Sequence, residues 1–260
     1  MKPNYIFTTF LFIMALLLFA GCAPANEITI NPNAESTVLT QLSTYSALNK
    51  GIYTGEMPLA TLSQYGNFGI GTFDGLDGEM ILLDGKYYQA HVNGSVNVMD
   101  GSVKAPYADV IFFQQDKLVS LDKPVEKIDD LKQMLDQQLP VLNKPYAFRI
   151  DGTFSYLKLR SVPKQSEPYP PLSEAVKNQT VFEFENLEGT MVGFRLPDLV
   201  EPVGVAGYHF HFISKDRQHG GHVLDTRFSG NKVSIDNLGK FWLILPENED
   251  FQNAKLTDKK

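Results

Sequence analysis

Val205-Ala-Gly-Tyr-His-Phe-His-Phe-Ile-Ser-Lys-Asp-Arg-Gln-His-Gly-Gly-His222 is the stretch on which the reading of the fold turns. Up to Ile213 it alternates as a β-strand does, with successive side chains on opposite faces. His209 and His211 therefore share one face, while Tyr208, Phe210 and Phe212 take the other. Ser214 to Gly221 is polar and ends in Gly-Gly, which reads as the turn of a hairpin. With that turn centred between Asp216 and Arg217, His222 falls opposite His211 on the returning strand. The expectation is an antiparallel hairpin that brings three imidazoles to one point. Three neutral imidazoles leave one tetrahedral position of a zinc ion open, the mark of a catalytic site. Imidazoles also bind iron, copper and nickel, so residue type alone does not select the metal. His219 is the rival third ligand, but it sits in the turn, where its direction is unconstrained. His91 reads as a surface residue near another turn.

Outward from the hairpin the chain is rich in short apolar runs separated by turn signals. Asp-Gly pairs at 74–75, 77–78, 84–85, 100–101 and 151–152 suit tight hairpin turns. Strands are expected at Met80–Leu83, Val110–Phe113, Ala147–Ile150 and Phe154–Val162, then at Thr180–Glu185, Thr190–Leu196, Val205–Ile213, His222–Phe228, Lys232–Ile235 and Phe241–Leu245. Val125–Leu139 has apolar residues at helical spacing and stops at Pro140. A second, short helix is expected over Leu172–Asn178. Ser36 to Ala47 suits either helix or strand. Ser161 to Pro171 is rich in proline and polar residues and reads as a crossing segment between two lobes. Phe73–Ile81 lines up with Phe184–Val192, a weak internal repeat in which Glu79 faces Thr190. The fold class expected is α+β, two similar strand-rich lobes with few helices and the metal site between or beside them. The lobes are placed at 36–163 and 164–260, the second binding the metal.

The bulk numbers fit this. The chain has 260 residues, 43% hydrophobic and 20% charged, as in ordinary globular proteins. Its net charge of -7 and lack of a Lys/Arg cluster argue against a nucleic-acid partner. At the N-terminus Lys2 precedes an apolar run from Ile6 to Ala20 and then Phe19-Ala-Gly-Cys22. This resembles a bacterial lipobox, in which the cysteine is lipidated and becomes the new N-terminus. Residues 1–21 are read as a lipoprotein signal peptide and 22–35 as a tether. Cys22 is the only cysteine, so no disulfide or cysteine metal site exists within the chain. The expectation is an exported, extracytoplasmic protein held at a membrane by its lipid.

Two further stretches carry chemistry. Gly66–Glu79 is glycine-rich, but no Gly-Lys-Ser/Thr follows and the dinucleotide spacing is absent. Its small residues would let Glu79 approach a ligand. In Phe154-Ser-Tyr-Leu-Lys-Leu-Arg160, alternation puts Phe154, Tyr156, Lys158 and Arg160 on one face, suited to walling a cleft for an anion.

Gly69-Ile-Gly-Thr-Phe-Asp-Gly-Leu-Asp-Gly-Glu79, Leu159-Arg-Ser-Val-Pro163 and Gly207-Tyr-His-Phe-His211 with His222 resemble, in order and spacing, the alpha-acetolactate decarboxylase family. The resemblance runs from about Thr54 to Leu245. It implies that His209, His211 and His222 are zinc ligands, that Glu79 and Arg160 are active-site residues, and that Thr72 lines the site. It also implies a two-lobed fold with the metal between lobes, and a homodimer. Many members return a second glutamate to the metal from a C-terminal tail. Beyond the Phe241–Leu245 strand this sequence offers only Glu247 and Glu249. The implied reaction converts 2-acetolactate, a 2-hydroxy-3-oxo acid, to acetoin and carbon dioxide. Zinc would act as a Lewis acid, Arg160 would orient the carboxylate and Glu79 would deliver a proton. No organic cofactor is needed. Two other readings stay open: a different histidine-ligated metalloenzyme, and a non-catalytic metal-binding lipoprotein. A cupin would follow His-x-His with a glutamate, where this chain has Phe212, Ile213, Ser214 and Lys215.

Overall fold

The computed structural model of the chain describes residues 37–256, together with Met1. The expected signal peptide, Cys22 and the tether lie outside the described residues. Among the described residues, no helix is long and apolar enough to cross a membrane.

The strands of the first half are β1 (Val38–Leu42), β2 (Met57–Pro58), β3 (Phe68–Thr72), β4 (Glu79–Leu83), β5 (Lys86–Ala90), β6 (Val96–Val98), β7 (Lys104–Ala105), β8 (Ala108–Ile111) and β9 (Lys117–Ser120). Those of the second are β10 (Tyr146–Ser161), β11 (Thr180–Leu196), β12 (Gly207–Ser214), β13 (Gly220–Arg227), β14 (Lys232–Asn237) and β15 (Lys240–Ile244). Among the described residues five short α-helices join them: α1 (Tyr45–Asn49), α2 (Leu59–Leu62), α3 (Ile128–Asp136), α4 (Leu172–Ala175) and α5 (Glu249–Asn253). The strand-rich architecture with few helices is the one expected.

Seven strands form one sheet in the order β15-β1-β8-β3-β4-β5-β6, six form a second in the order β11-β12-β13-β10-β14-β9, and β2 pairs with β7 in a two-stranded ribbon. In the second sheet β10 also pairs with β11, so β10, β11, β12 and β13 close into a ring. The division at 163/164 is not where the sheets part. β9 and β10 precede it yet belong to the second sheet, and β15 follows it yet pairs in parallel with β1 in the first. The sheets are assembled by pairing between strands distant in sequence, which a linear boundary does not capture.

Burial explains which face each strand presents. Phe68, Ile70, Ile81 and Leu83 of the first sheet pack on Ala147, Val192, Phe194 and Ile213 of the second, forming a core between the sheets. Met80 and Leu82 point the other way, into a core with Leu59 and Leu62 of α2. Strands covered on both faces read as near-continuous apolar runs, as Met80–Leu83 does. Within the second sheet Phe148, Ile150, Met191, Phe210 and Phe212 form a third core, closed by Leu131 and Leu135 of α3.

Several local expectations change. Asp84-Gly85 makes the β4–β5 hairpin turn, with both residues at positive φ (51° and 77°). Asp151-Gly152 makes no turn; it lies inside β10, opposite Gly189 and Thr190. Thr180–Glu185 and Thr190–Leu196 are likewise one strand. Helix α3 starts later than Val125, because Val125 pairs its backbone with Phe228 and Asp225 accepts the Ile128 N–H at 2.8 Å. Phe154 does not share a face with Arg160. It is buried in the core of the second sheet, and so are Leu157 and Leu159, so the buried side of β10 switches between 154 and 157. The facing strand is irregular there, with Asn186 at φ 52°. Of the apparent repeat, 73–78 is a loop with Gly75 and Gly78 at positive φ, whereas 184–192 lies within β11.

Candidate metal centre

Three strands of the second sheet place a row of functional side chains. His211 of β12 pairs with His222 of β13, and His222 pairs with Arg160 of β10. Directly paired residues point to the same face of a sheet. That face looks toward the first sheet, because Ile213, two residues beyond His211, packs in the core between the sheets. His209 lies two residues before His211 and faces the same way. From the first sheet Thr72 of β3 and Glu79 of β4, themselves a cross-strand pair, share the inward face of Ile70 and Ile81. The hairpin register inferred from a turn at Asp216-Arg217 is the one observed.

The three rings converge. His209 Nε2 lies 3.1 Å from His211 Nε2 and 3.1 Å from His222 Nδ1. One nitrogen from each ring falls within 4.8 Å of the others. A tetrahedral ion with bonds of about 2.0–2.1 Å sets neighbouring nitrogens roughly 3.3 Å apart, so the spacing fits such an ion. His211 Nδ1 is 2.7 Å from the Met80 carbonyl oxygen of β4. That contact requires Nδ1–H as donor, which leaves the Nε2 lone pair for the centre. It also ties the two sheets together across a fully buried ring.

Electrostatics favours neutral rings. Burial drives His209 and His222 well below the ordinary imidazole range, with neighbouring histidines and Arg160 acting the same way. Burial also lowers His211, to about 4, despite the opposing bond to Met80. Neutral imidazoles are the metal-binding form. Glu79 is 8% exposed, and burial raises its carboxyl to about 7 against the pull of Arg160. Its oxygens lie 3.4 Å from His211 Nε2 and 3.9 Å from Arg160 Nε. Thr72 donates its hydroxyl to the Gly78 carbonyl at 2.8 Å, fixing the turn that delivers Glu79. Gly78 has φ 74°, and a Cβ there would stand 2.4 Å from the Ala90 carbonyl oxygen, so the turn requires glycine.

These groups open onto one cavity of about 150 Å³. Thr72, Glu79, Arg160, His209 and His222 make one part of its wall, and Leu48, Leu76, Val162, Leu172, Val176 and Val205 an apolar part. His219 is not in the cluster; its ring packs on Phe184 at 4.8 Å. His91 lies at a turn, 3.0 Å from Asn97 Nδ2. Glu247 and Glu249 also lie outside the cluster. The Glu247 N–H donates to Glu56 and Glu249 opens α5, on a segment docked beside Thr54. Lys158 pairs with Glu183 at 3.7 Å rather than joining the site. Sequence reasoning missed the Met80 carbonyl and Gln179, whose side chain accepts from Arg160 Nη1 at 3.0 Å.

The alpha-acetolactate decarboxylase family model matches residues 39–258. An alpha-acetolactate decarboxylase of Methanosarcina mazei is 47% identical over 224 residues, covering 86% of this chain and 77% of the relative. One from Bacillus subtilis is 39% identical over 216 residues, covering 83% and 84%. The crystal structure of alpha-acetolactate decarboxylase from Bacillus subtilis strain 168 superposes with a TM-score of 0.82 at 38% identity, over 85% of this chain and 94% of that one.

Proposed function

The chain belongs to the alpha-acetolactate decarboxylase family, and from that membership we propose how its cavity converts acetolactate to acetoin and carbon dioxide. The observation that carries the reading is the meeting of three imidazoles with one buried carboxyl and one guanidinium, with His209, His222, Glu79 and Arg160 lining a single cavity. His209, His211 and His222 would hold zinc. Bound there, zinc would supply Lewis-acid polarisation of the substrate's ketone and hydroxyl oxygens.

The chain's own residues do the rest. The Arg160 guanidinium receives the substrate carboxylate and sets it for departure. Breaking that carbon–carbon bond releases neutral carbon dioxide and leaves the electron pair in an enediolate. A proton must then reach the carbon that lost the carboxylate. Glu79 stands on the facing sheet and delivers that proton from one side. Thr72 holds the Glu79 turn in place through Gly78. The apolar wall formed by Leu76, Val162, Leu172 and Val205 receives the methyl groups and excludes water.

Purified protein should carry about one zinc per chain, as a three-imidazole site requires. It should form acetoin from acetolactate, lose that activity to a chelator and regain it with zinc. Activity that survives complete removal of metal would sink the zinc assignment and leave the family assignment standing. Metal binding without acetoin formation would instead favour a non-catalytic metal-binding protein.

The lone Cys22 after the apolar run supports a second proposal, that the mature protein is anchored to a membrane by a lipid on that residue. Cys22→Ala should abolish lipid labelling and move the protein to the soluble fraction. If the variant sediments with membranes as before, the anchor lies elsewhere.

A further inference from the structure

We propose that Gln179 is a positioning residue that aims the Arg160 guanidinium at the substrate carboxylate without neutralising it; this rests on the reading of the cavity given above. The geometry is specific. Gln179 Oε1 accepts from Arg160 Nη1 at 3.0 Å. Arg160 is otherwise held loosely: among the described residues its Nε is buried without a hydrogen-bond partner, and Glu79 stands 3.9 Å away, beyond hydrogen-bond reach. A guanidinium has five N–H donors in a rigid plane, so fixing one of them orients the whole fork.

The backbone of Gln179 is well placed for this. Its N–H donates to the Val176 carbonyl at 3.2 Å, closing the short 3-10 turn Val176–Asn178. The next residue, Thr180, pairs with Ser161, and Val181 pairs with Arg160. Gln179 and Val181 are two apart, which brings Gln179 diagonally across from Arg160. Leu172 and Val176, on the same helical segment, line the cavity. That segment therefore supplies both an apolar wall and the acceptor that aims the arginine.

A neutral acceptor is what the reaction needs. An amide oxygen orients the guanidinium and adds no further negative charge beside it. A carboxylate at 179 would pair with Arg160 and compete with the substrate for it.

The test compares kcat and KM for acetolactate in the wild type, Gln179→Ala and Gln179→Glu, with inhibition by acetoin measured alongside. Acetoin lacks the carboxylate and reports the rest of the cavity. Gln179→Ala should lower kcat/KM for acetolactate roughly tenfold or more, the weight of one hydrogen bond to a charged group, mainly through KM. Inhibition by acetoin should be unchanged. Gln179→Glu should lower kcat/KM further than alanine does. The proposal is overturned if Gln179→Ala matches the wild type, if acetolactate KM and acetoin inhibition move together, or if glutamate is the milder change. Wild-type protein that does not decarboxylate acetolactate at all would overturn the proposed function first, and this inference with it.

Discussion

His222→Ala is expected to take zinc from about one per chain to near zero and turnover to background, while His219→Ala changes neither. The two histidines are three residues apart, and histidine-for-alanine exchange is the same chemistry at both. What separates them is the hairpin register. His222 sits opposite His211, and its Nδ1 lies 3.1 Å from His209 Nε2. His219 lies in the turn with its ring against Phe184. Removing a true ligand should exceed the roughly 10–100-fold loss typical of removing an outer-shell partner. His222 is a cleaner probe than His211. Alanine at 211 would also remove the bond to the Met80 carbonyl and empty a fully buried position, so lost metal and lost stability would be confounded. Zinc content and thermal unfolding of both variants decide the matter. Normal zinc in His222→Ala, or zinc lost in His219→Ala, would mean that another residue completes the site.

That register was legible because everything it depends on is local. Alternation put His209 and His211 on one face, and a turn assumed to centre between Asp216 and Arg217 set their partner across the hairpin, the register the strands show. The rest of the site depends on pairing between remote strands. Arg160 joins the histidine row only because β10 lies beside β13, and Glu79 meets His211 only because the sheets stack. Neither fact leaves a mark in the periodicity of either strand. The resemblance to a family named both residues, but sequence geometry alone did not bring them together. Gln179 lacked even that signal: it follows a short polar helix and resembles a helix end. Asp151-Gly152 misled for a physical reason. Asp-Gly permits a turn without compelling one. Here Gly152 takes φ 151° within a continuous strand, where a Cβ would stand 2.5 Å from the Asn231 side chain. The parallel pairing of β15 with β1 was equally hidden, since nothing in Lys240–Ile244 announces that its partner is Val38–Leu42.

Glu79→Gln is expected to lower turnover by roughly 10²–10⁴-fold, the usual weight of a general acid, with zinc content near normal. Two opposing influences act on this carboxyl. Burial holds its proton, raising it to about 7, while Arg160 3.9 Å away pulls toward the anion. A metal cation held by the histidines would pull the same way. Glu79 therefore need not begin protonated. It can take the proton of the substrate hydroxyl and return it to the carbon that has lost carbon dioxide, with water then reprotonating the oxygen so that one solvent proton is consumed per turnover. Glutamine keeps the size of the side chain and much of its hydrogen-bonding reach, but it cannot exchange a proton. A purely electrostatic or packing role would survive better than a proton-transfer role, and product chirality sharpens the distinction. Glu79 and the histidines stand on facing sheets, so the proton arrives from one side and one acetoin enantiomer should dominate. In Glu79→Gln the proton must come from water, and the residual acetoin should lose enantiomeric purity. Normal turnover with unchanged chirality would remove Glu79 from the proton path. Loss of zinc with the activity would instead make Glu79 a ligand, or a support for His211 Nε2, which lies 3.4 Å from its carboxylate.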